Sequence, residues 1–326
     1  MHISRRFMVA GVAGLSLGLP VSAAWAQDFP KRQITLVVPF AAGGSTDLVA
    51  RILAQKLTEQ MGVNVIVENR AGAGGNIGAA AVAKAEPDGY TVLYGTISTH
   101  TLNPLMAKRS AYDPVKDFEP IALVGSIPNV MIVHPGVPAK DVKELIAAAK
   151  AGPAKYSYAS SGVATPLHLS GEMFNRMAGT QMAHVPYRGA GPAMNDLIGG
   201  QVPVMFDNLP TSVEQIKAGK ARALGVTTKE RVKQMPDIPT LHEQGLTGYE
   251  TYSWQALFAP AKTSKAVVDR INAEVLKALK DPALLKRLDE LTMTVTPSSP
   301  DGLGKHVAEQ LATWGPITKA TGVQLD

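Results

Sequence analysis

Between residues 34 and 291, short apolar runs rich in Val, Ile and aromatic residues alternate with longer stretches whose apolar positions recur at three- and four-residue steps. The short runs at 34–38, 64–68, 91–94, 130–133, 156–158, 204–206 and 223–227 predict strands. The longer stretches at 47–60, 75–85, 141–149, 167–177, 190–198, 213–218, 264–280 and 283–291 predict helices. The helical period is clearest in Val267, Val268, Ile271, Val275, Leu276 and Leu279, which form one stripe turned to a core. Asp281-Pro282 then supplies a capping acid followed by Pro at the first helical position. Strand–helix alternation of this kind needs a mostly parallel sheet covered on both faces, so the fold class is α/β.

Two segments break the alternation. Ser126-Ile-Pro-Asn129 places a Pro ahead of the strand at 130–133, and an aromatic segment at 249–258 ends in Ala259-Pro260. Read as crossings between domains, they divide the chain into a first lobe of 27–125 plus 253–326 and a second lobe of 126–252. Ligands of open α/β sheets bind outside the carboxyl ends of the strands. Two such sheets facing each other therefore share one cleft.

Residues 1–26 stand apart from the fold. Arg5-Arg6, a short apolar stretch at 7–19 and Ala24-Trp-Ala26 make a secretory signal peptide cleaved after Ala26. The apolar stretch is too short for a lasting membrane span. Ser4-Arg-Arg-Phe7 is close to a twin-arginine signal but lacks the usual spacer, so either export route fits. Cleavage removes two of the 32 basic residues and none of the 27 acidic ones, leaving a formal charge of +3 on 300 residues. That bias, without Lys/Arg blocks interleaved with aromatics, excludes a nucleic-acid reader. With no Cys there is no disulfide, thiolate nucleophile or Cys-ligated zinc. The His residues of the mature chain are scattered singly, so no metal or cofactor is expected.

Candidate chemistry lies in two strand–turn–helix units. In the first, Ile34-Thr-Leu-Val-Val-Pro-Phe40 runs into Ala41-Ala-Gly-Gly-Ser-Thr46 and a helix from Asp47. In the second, Lys155-Tyr-Ser-Tyr158 runs into Ala159-Ser-Ser-Gly-Val-Ala-Thr165 and a helix opened by Pro166. A helix N-terminus carries unpaired N–H groups and the positive end of the macrodipole, and small turn residues let an anion reach them. One unit in each half suggests a clamp for a molecule with two anionic ends. Thr165 caps its helix, binds ligand or does both, and His168 one turn on is either a surface residue or an anion donor. Asp47 is either a simple helix-dipole acid or a paired group at the mouth of the site. Asp207, at a strand end, could meet an ammonium group or fix a loop. Phe40, Tyr158 and Phe206 are candidate apolar walls. Gly72-Ala-Gly-Gly-Asn-Ile-Gly78 is one residue too long for a dinucleotide fingerprint and reads as a tight turn, with Asn76 offering its amide to the cleft. An exported hydrolase using Ser160 or Ser161 with His168 is the enzymatic alternative, but no G-x-S-x-G elbow supports it.

Several segments resemble, in order, those of the tripartite tricarboxylate transporter substrate-binding proteins, the Bug or TctC-like family. They include Pro39-Phe-Ala-Ala-Gly-Gly-Ser-Thr-Asp47, Glu68 to Gly78, Asp113 to Val124, Tyr158-Ala-Ser-Ser-Gly162 and Thr165-Pro-Leu-His-Leu-Ser-Gly-Glu172. The match continues through His184-Val-Pro-Tyr-Arg188, Met205-Phe-Asp-Asn-Leu-Pro210, Lys217-Ala-Gly-Lys220 and Leu257-Phe-Ala-Pro260. One departure is Pro203, where many relatives carry Asp. The resemblance implies a two-lobed fold like type II periplasmic binding proteins, with the ligand cleft between the lobes, and a monomeric periplasmic receptor without catalytic activity. It implies a small di- or tricarboxylate ligand, aliphatic or aromatic, and docking on the membrane permease subunits of the transporter. A carboxylate sensor that presents its closed form to a signalling receptor would share the same binding chemistry. Carried over, the first-lobe contacts are Phe40, Ala41, Gly43, Gly44 and Asp47, with Asn76, Thr96 and Ser98 on the same cleft. The second-lobe contacts are Ser160, Ser161, Thr165 and His168, with Asp207 adjoining.

Overall fold

The computed structural model describes His2 and residues 29–321; the rest of the expected signal peptide, with its cleavage site, lies outside the described residues. The first sheet is built on parallel β1 (Ile34–Val38), β2 (Val65–Asn69) and β3 (Thr91–Thr96). Antiparallel β9 (Tyr252–Pro260) joins it beside β3, and the first part of β4 (Phe118–Val133) pairs with β9 from Phe118 to Pro128. From Asn129 onward β4 changes partners, pairing with β7 (Val204–Asn208) and β8 (Arg222–Val226) of the second sheet. There β7 lies parallel to β5 (Ser157–Ser160), which lies parallel to β6 (Ala183–Pro186). The two lobes therefore share one long strand, whose partners switch at Pro128 and Asn129.

Helices cover both faces of each sheet. In the first lobe α1 (Ser45–Met61), α8 (Lys265–Ala278) and α9 (Pro282–Glu290) bury Val49, Leu53, Leu57, Ile271, Val275 and Leu288 against Leu36, Val38 and Tyr94. In the second lobe α4 (Val142–Ala151) and α5 (Pro166–Ala178) pack Leu145 and Phe174 against Tyr158 and Phe206. On its other face α6 (Ala190–Ile198) and α7 (Leu209–Lys217) accompany Val130, Ile132 and Met205. Each buried Leu, Phe or Val contributes about 1.5–3 kcal/mol relative to exposure. Short elements complete the chain: α2 (Asn76–Ala83), α3 (Asn103–Met106) and β10 (Thr294–Val295), which pairs with Ser126 and Gly125.

Two long elements depart from the pattern reading. The segment around 118–129 and the aromatic run at 252–260 are strands, buried almost throughout. Burial on both faces erased the alternation that would have marked them. The helix α10 (Pro300–Thr321) was hidden by Gly302, Gly304, Gly315 and Pro316, all poor helix formers. It forms because Leu303, Val307 and Trp314, on one stripe, pack with Phe118, Trp254 and Phe258. No helix among the described residues is long and apolar enough to cross a membrane.

Candidate functional site

The two sheets are mixed rather than mostly parallel, because β4 and β9 run antiparallel through them. The carboxyl ends of the parallel strands β1, β3, β5, β6 and β7 nonetheless face one cavity between the lobes. Gly44, Ser45 and Thr46 reach it at the start of α1, and Thr96, Ile97 and Ser98 reach it from the end of β3. From the second lobe come Ser161, with Pro166 and Leu167 opening α5, Gly189 and Ala190 opening α6, and Asn208 ahead of α7. Phe40 forms an apolar wall, and Ser253 and Gln255 of β9 complete the lining, which carries no charged side chain.

Three helix N-termini thus meet the cavity. The first intrahelical bond of α1 is Leu48 N–H to Gly44 O (3.0 Å), and its N-cap Gly44 provides no side-chain cap. The amides of Ser45, Thr46 and Asp47 are therefore left outside the helix ladder. At α5 Thr165 Oγ1 accepts from His168 N–H (3.2 Å) and Pro166 has no N–H, which leaves Leu167. At α6 Gly189 offers no side-chain cap either, so Ala190 and Gly191 present their amides. The sequence reading foresaw the first two and missed the third, although Gly189-Ala-Gly-Pro192 repeats the grammar of a small turn followed by Pro in the first helical turn.

Of the residues singled out in the sequence, Phe40, Gly44, Thr96, Ser98 and Ser161 line this cavity. The others stand behind it. Asp47 is a brace for the first turn: Oδ2 accepts from Gly43 N–H (2.9 Å), and Oδ1 accepts from Arg51 Nε (3.0 Å) and Asn69 Nδ2 (2.9 Å). Burial works to raise its carboxyl, but the bonds from Arg51, Gly43 and Asn69 outweigh that and hold it below the usual carboxylate range. Paired with Arg51 at 2.9 Å, its charge at the helix start is compensated. Ala41 abuts Gly189 across the cleft, where a Cβ on Gly189 would come 2.9 Å from Ala41 Cβ. Asn76 is half-buried and accepts from Tyr112 Oη (3.0 Å). The glycine turn before it makes a close approach between lobes, since a Cβ on Gly74 would meet Val163 O at 2.2 Å.

In the second turn Ser160 Oγ lies 2.7 Å from His184 Nε2 and also bonds Gly162 O (3.1 Å). Thr165 Oγ1 donates to Gly162 O (2.8 Å), and His168 Nδ1 accepts from Ala164 N–H (3.2 Å). The rings of His168 and His184 stack at 3.9 Å. Burial, with the neighbouring His184, pushes His168 down to about 3, and burial takes His184 to about 4. His168 is thus a neutral brace for the loop rather than a cation, and the serine–histidine pair that forms is Ser160 with His184, not with His168. Tyr158 and Phe206 are fully buried in the second-lobe core and form no cavity wall, because alternate positions on their strands point away from it. Asp207 is fully buried, its Oδ2 bonded by Thr211 and Ser212 (2.9 Å) at the start of α7, and burial raises it to about 6 despite these bonds and that of Asn208 N–H.

The family model described as tripartite tricarboxylate transporter family receptor matches residues 49–323. The chain belongs to that family. This receptor is similar to the solved periplasmic binding protein BugD, at 39% identity, with 91% of this chain and 99% of that one covered and a TM-score of 0.87. It is similar to Rpa4515 of Rhodopseudomonas palustris solved with adipate, at 38% identity, with 91% and 99% covered and a TM-score of 0.88. It is also similar to MatC from the same organism with bound malate, at 34% identity, with 89% and 100% covered and a TM-score of 0.85. The receptor is a two-lobed, periplasmic solute-binding protein of a tripartite transporter, not an enzyme. Among the described residues no group of three or more His, Cys, Asp or Glu could hold a metal.

Proposed function

We propose that this receptor closes on a small di- or tricarboxylate and holds it at the N-termini of α1, α5 and α6. The observation that carries the reading is the convergence of three helix starts from both lobes on one cavity without an acidic side chain in its wall. Each N-terminus favours an anion by about 0.3–1 kcal/mol at exposed sites, and by more where partly buried. The adipate and malate held by two relatives fit the same class. Phe40 and Leu167 supply apolar contact for the carbon skeleton between the carboxylates.

The direct contacts would be the backbone and hydroxyls at Gly44, Thr96, Ser98 and Ser161, with Phe40 beside them. Asp47, Ser160, Thr165 and His168 shape the two turns, together with Ala41 and Gly43, while Asn76 and Asp207 support neighbouring loops. We place the lobe boundaries at 125/126 and 252/253, a division supported by the change of β4 partners after Pro128 and the start of β9 at Tyr252. The mature receptor starts after Ala26, acts as a monomer and delivers its closed form to the membrane permease subunits.

The test is thermal shift of residues 27–326 against mono-, di- and tricarboxylates, with hits titrated calorimetrically. A ligand at 100 times its Kd raises stability by about 2.7 kcal/mol. Gly44→Val blocks the first helix start with little strain, because Gly44 has φ −78° and a Cβ there meets only Ala41 O at 3.7 Å. Loss of all carboxylate binding in folded Gly44→Val supports the clamp. Unchanged affinity, or a wild-type protein indifferent to every carboxylate, overturns it.

A further inference from the structure

The cavity floor holds a polar group that the clamp does not use. Gln255 lies on β9 between Thr96 of β3 and Gly125 of β4, lines the cavity and is 1% exposed. Its Oε1 accepts from Tyr94 Oη (3.0 Å), a fully buried phenol. The Nε2 at the other end is buried and has no hydrogen-bond partner in the protein. A buried amide donor left unpaired is costly, and native proteins rarely keep one without use.

The geometry points to Gln255 as a specificity-determining contact whose Nε2 donates to an oxygen on the body of the bound acid. This rests on the carboxylate reading of the cleft and deepens it. The amide nitrogen only donates, so a hydroxyl, keto or carboxylate oxygen satisfies it and an ammonium group does not. No acidic side chain lines the cavity to receive an ammonium; Asp207, fully buried at the end of β7, accepts at Oδ2 from Thr211 and Ser212 and is not part of the lining. The cleft therefore prefers oxygen-substituted acids and disfavours amino acids of the same skeleton.

Two matched series separate these effects: succinate, malate and aspartate, and adipate, 2-hydroxyadipate and 2-aminoadipate. Calorimetric titration of the wild-type receptor should rank hydroxyl over hydrogen over ammonium within the series that fits. Gln255→Met keeps the volume and removes the donor, and should weaken the hydroxy acid roughly ten- to a hundredfold while closing its gap to the plain diacid. Gln255→Glu keeps the acceptor for Tyr94, so it guards against a variant that fails to fold, and it should favour the amino acid relative to the hydroxy acid. An unchanged ranking in variants that still bind diacids overturns the role of Gln255 and leaves the clamp standing. Absence of binding by the wild-type protein to both series overturns the clamp and this contact together.

Discussion

Ser45 Oγ, at the first residue of α1, donates to Asn208 Oδ1 across the cleft at 2.7 Å. Asn208 Nδ2 in turn donates to Asn129 Oδ1 (2.7 Å) and Ser253 Oγ (2.8 Å), where β4 and β9 pass between the lobes. A single hydrogen bond thus ties the start of α1 in the first lobe to the strands that pass between the lobes. If the receptor closes on its ligand as proposed, this bond reinforces the closed arrangement.

Ser45→Ala should lower affinity for every carboxylate ligand by about two- to tenfold, the range for a net 0.5–1.5 kcal/mol hydrogen bond. The melting temperature without ligand should change little. Calorimetric titration beside a thermal melt checks both, and equal affinity in the variant would remove Ser45 from the closing contact.

Gly74→Ala tests closure from the other side of Phe40. A Cβ would lie 2.2 Å from Val163 O, and the residue has φ +63°, so both contact and backbone oppose it. Each lobe should still fold, while compaction on ligand is impaired and Kd rises at least tenfold. Small-angle scattering with and without ligand reads this directly; wild-type compaction in the variant would show that the lobes close elsewhere.

Asp47→Ala removes the acceptor for Gly43 N–H and the anchor of Arg51 and Asn69. Stability should fall by about 1–3 kcal/mol, the cost of stranding buried donors. Ligands of every length should weaken by the same factor, because the loop backbone is common to all of them. A length-dependent loss would instead place Asp47 in contact with one end of the ligand.

The pH response follows from buried histidines. His100, His168 and His184 are held by burial at about 3, 3 and 4, below the ordinary 6.5. The unfolded chain binds protons that the folded one refuses, so stability falls as pH drops from 6.5 towards 4. Asp207, raised to about 6 from 3.8, works the opposite way, losing stability as pH rises from 3.8 to 6. Burial lowers His306 as well, so four histidines against Asp207 give a melting temperature that falls on acidification. His184→Gln should flatten that fall and Asp207→Asn should steepen it; a melting temperature constant from pH 7 to 4.5 would contradict the neutral-histidine account.

Sequence alone determined the α/β class, the strands β1, β2, β3, β5, β7 and β8, and the first two turns that open on the cavity, because hydrophobic period and turn chemistry are local properties. Glycines and Pro166 announce a helix start wherever the chain is going. The partner of each group was not local. His168 follows a capping Thr and reads as a cation for an anion, yet stacking on His184 and burial make it a neutral brace. Asp207 ends a strand near the cleft, yet it is fully buried there and Thr211 and Ser212 of α7 bond its Oδ2. Gln255 sits in a run with no polar pattern, and only the pairing of β9 with β3 and β4 brings its amide beside Tyr94 and the cavity. Helix α10 likewise waited for Phe118, Trp254 and Phe258 to reward its stripe, since burial against distant residues outweighs the low propensity of its glycines.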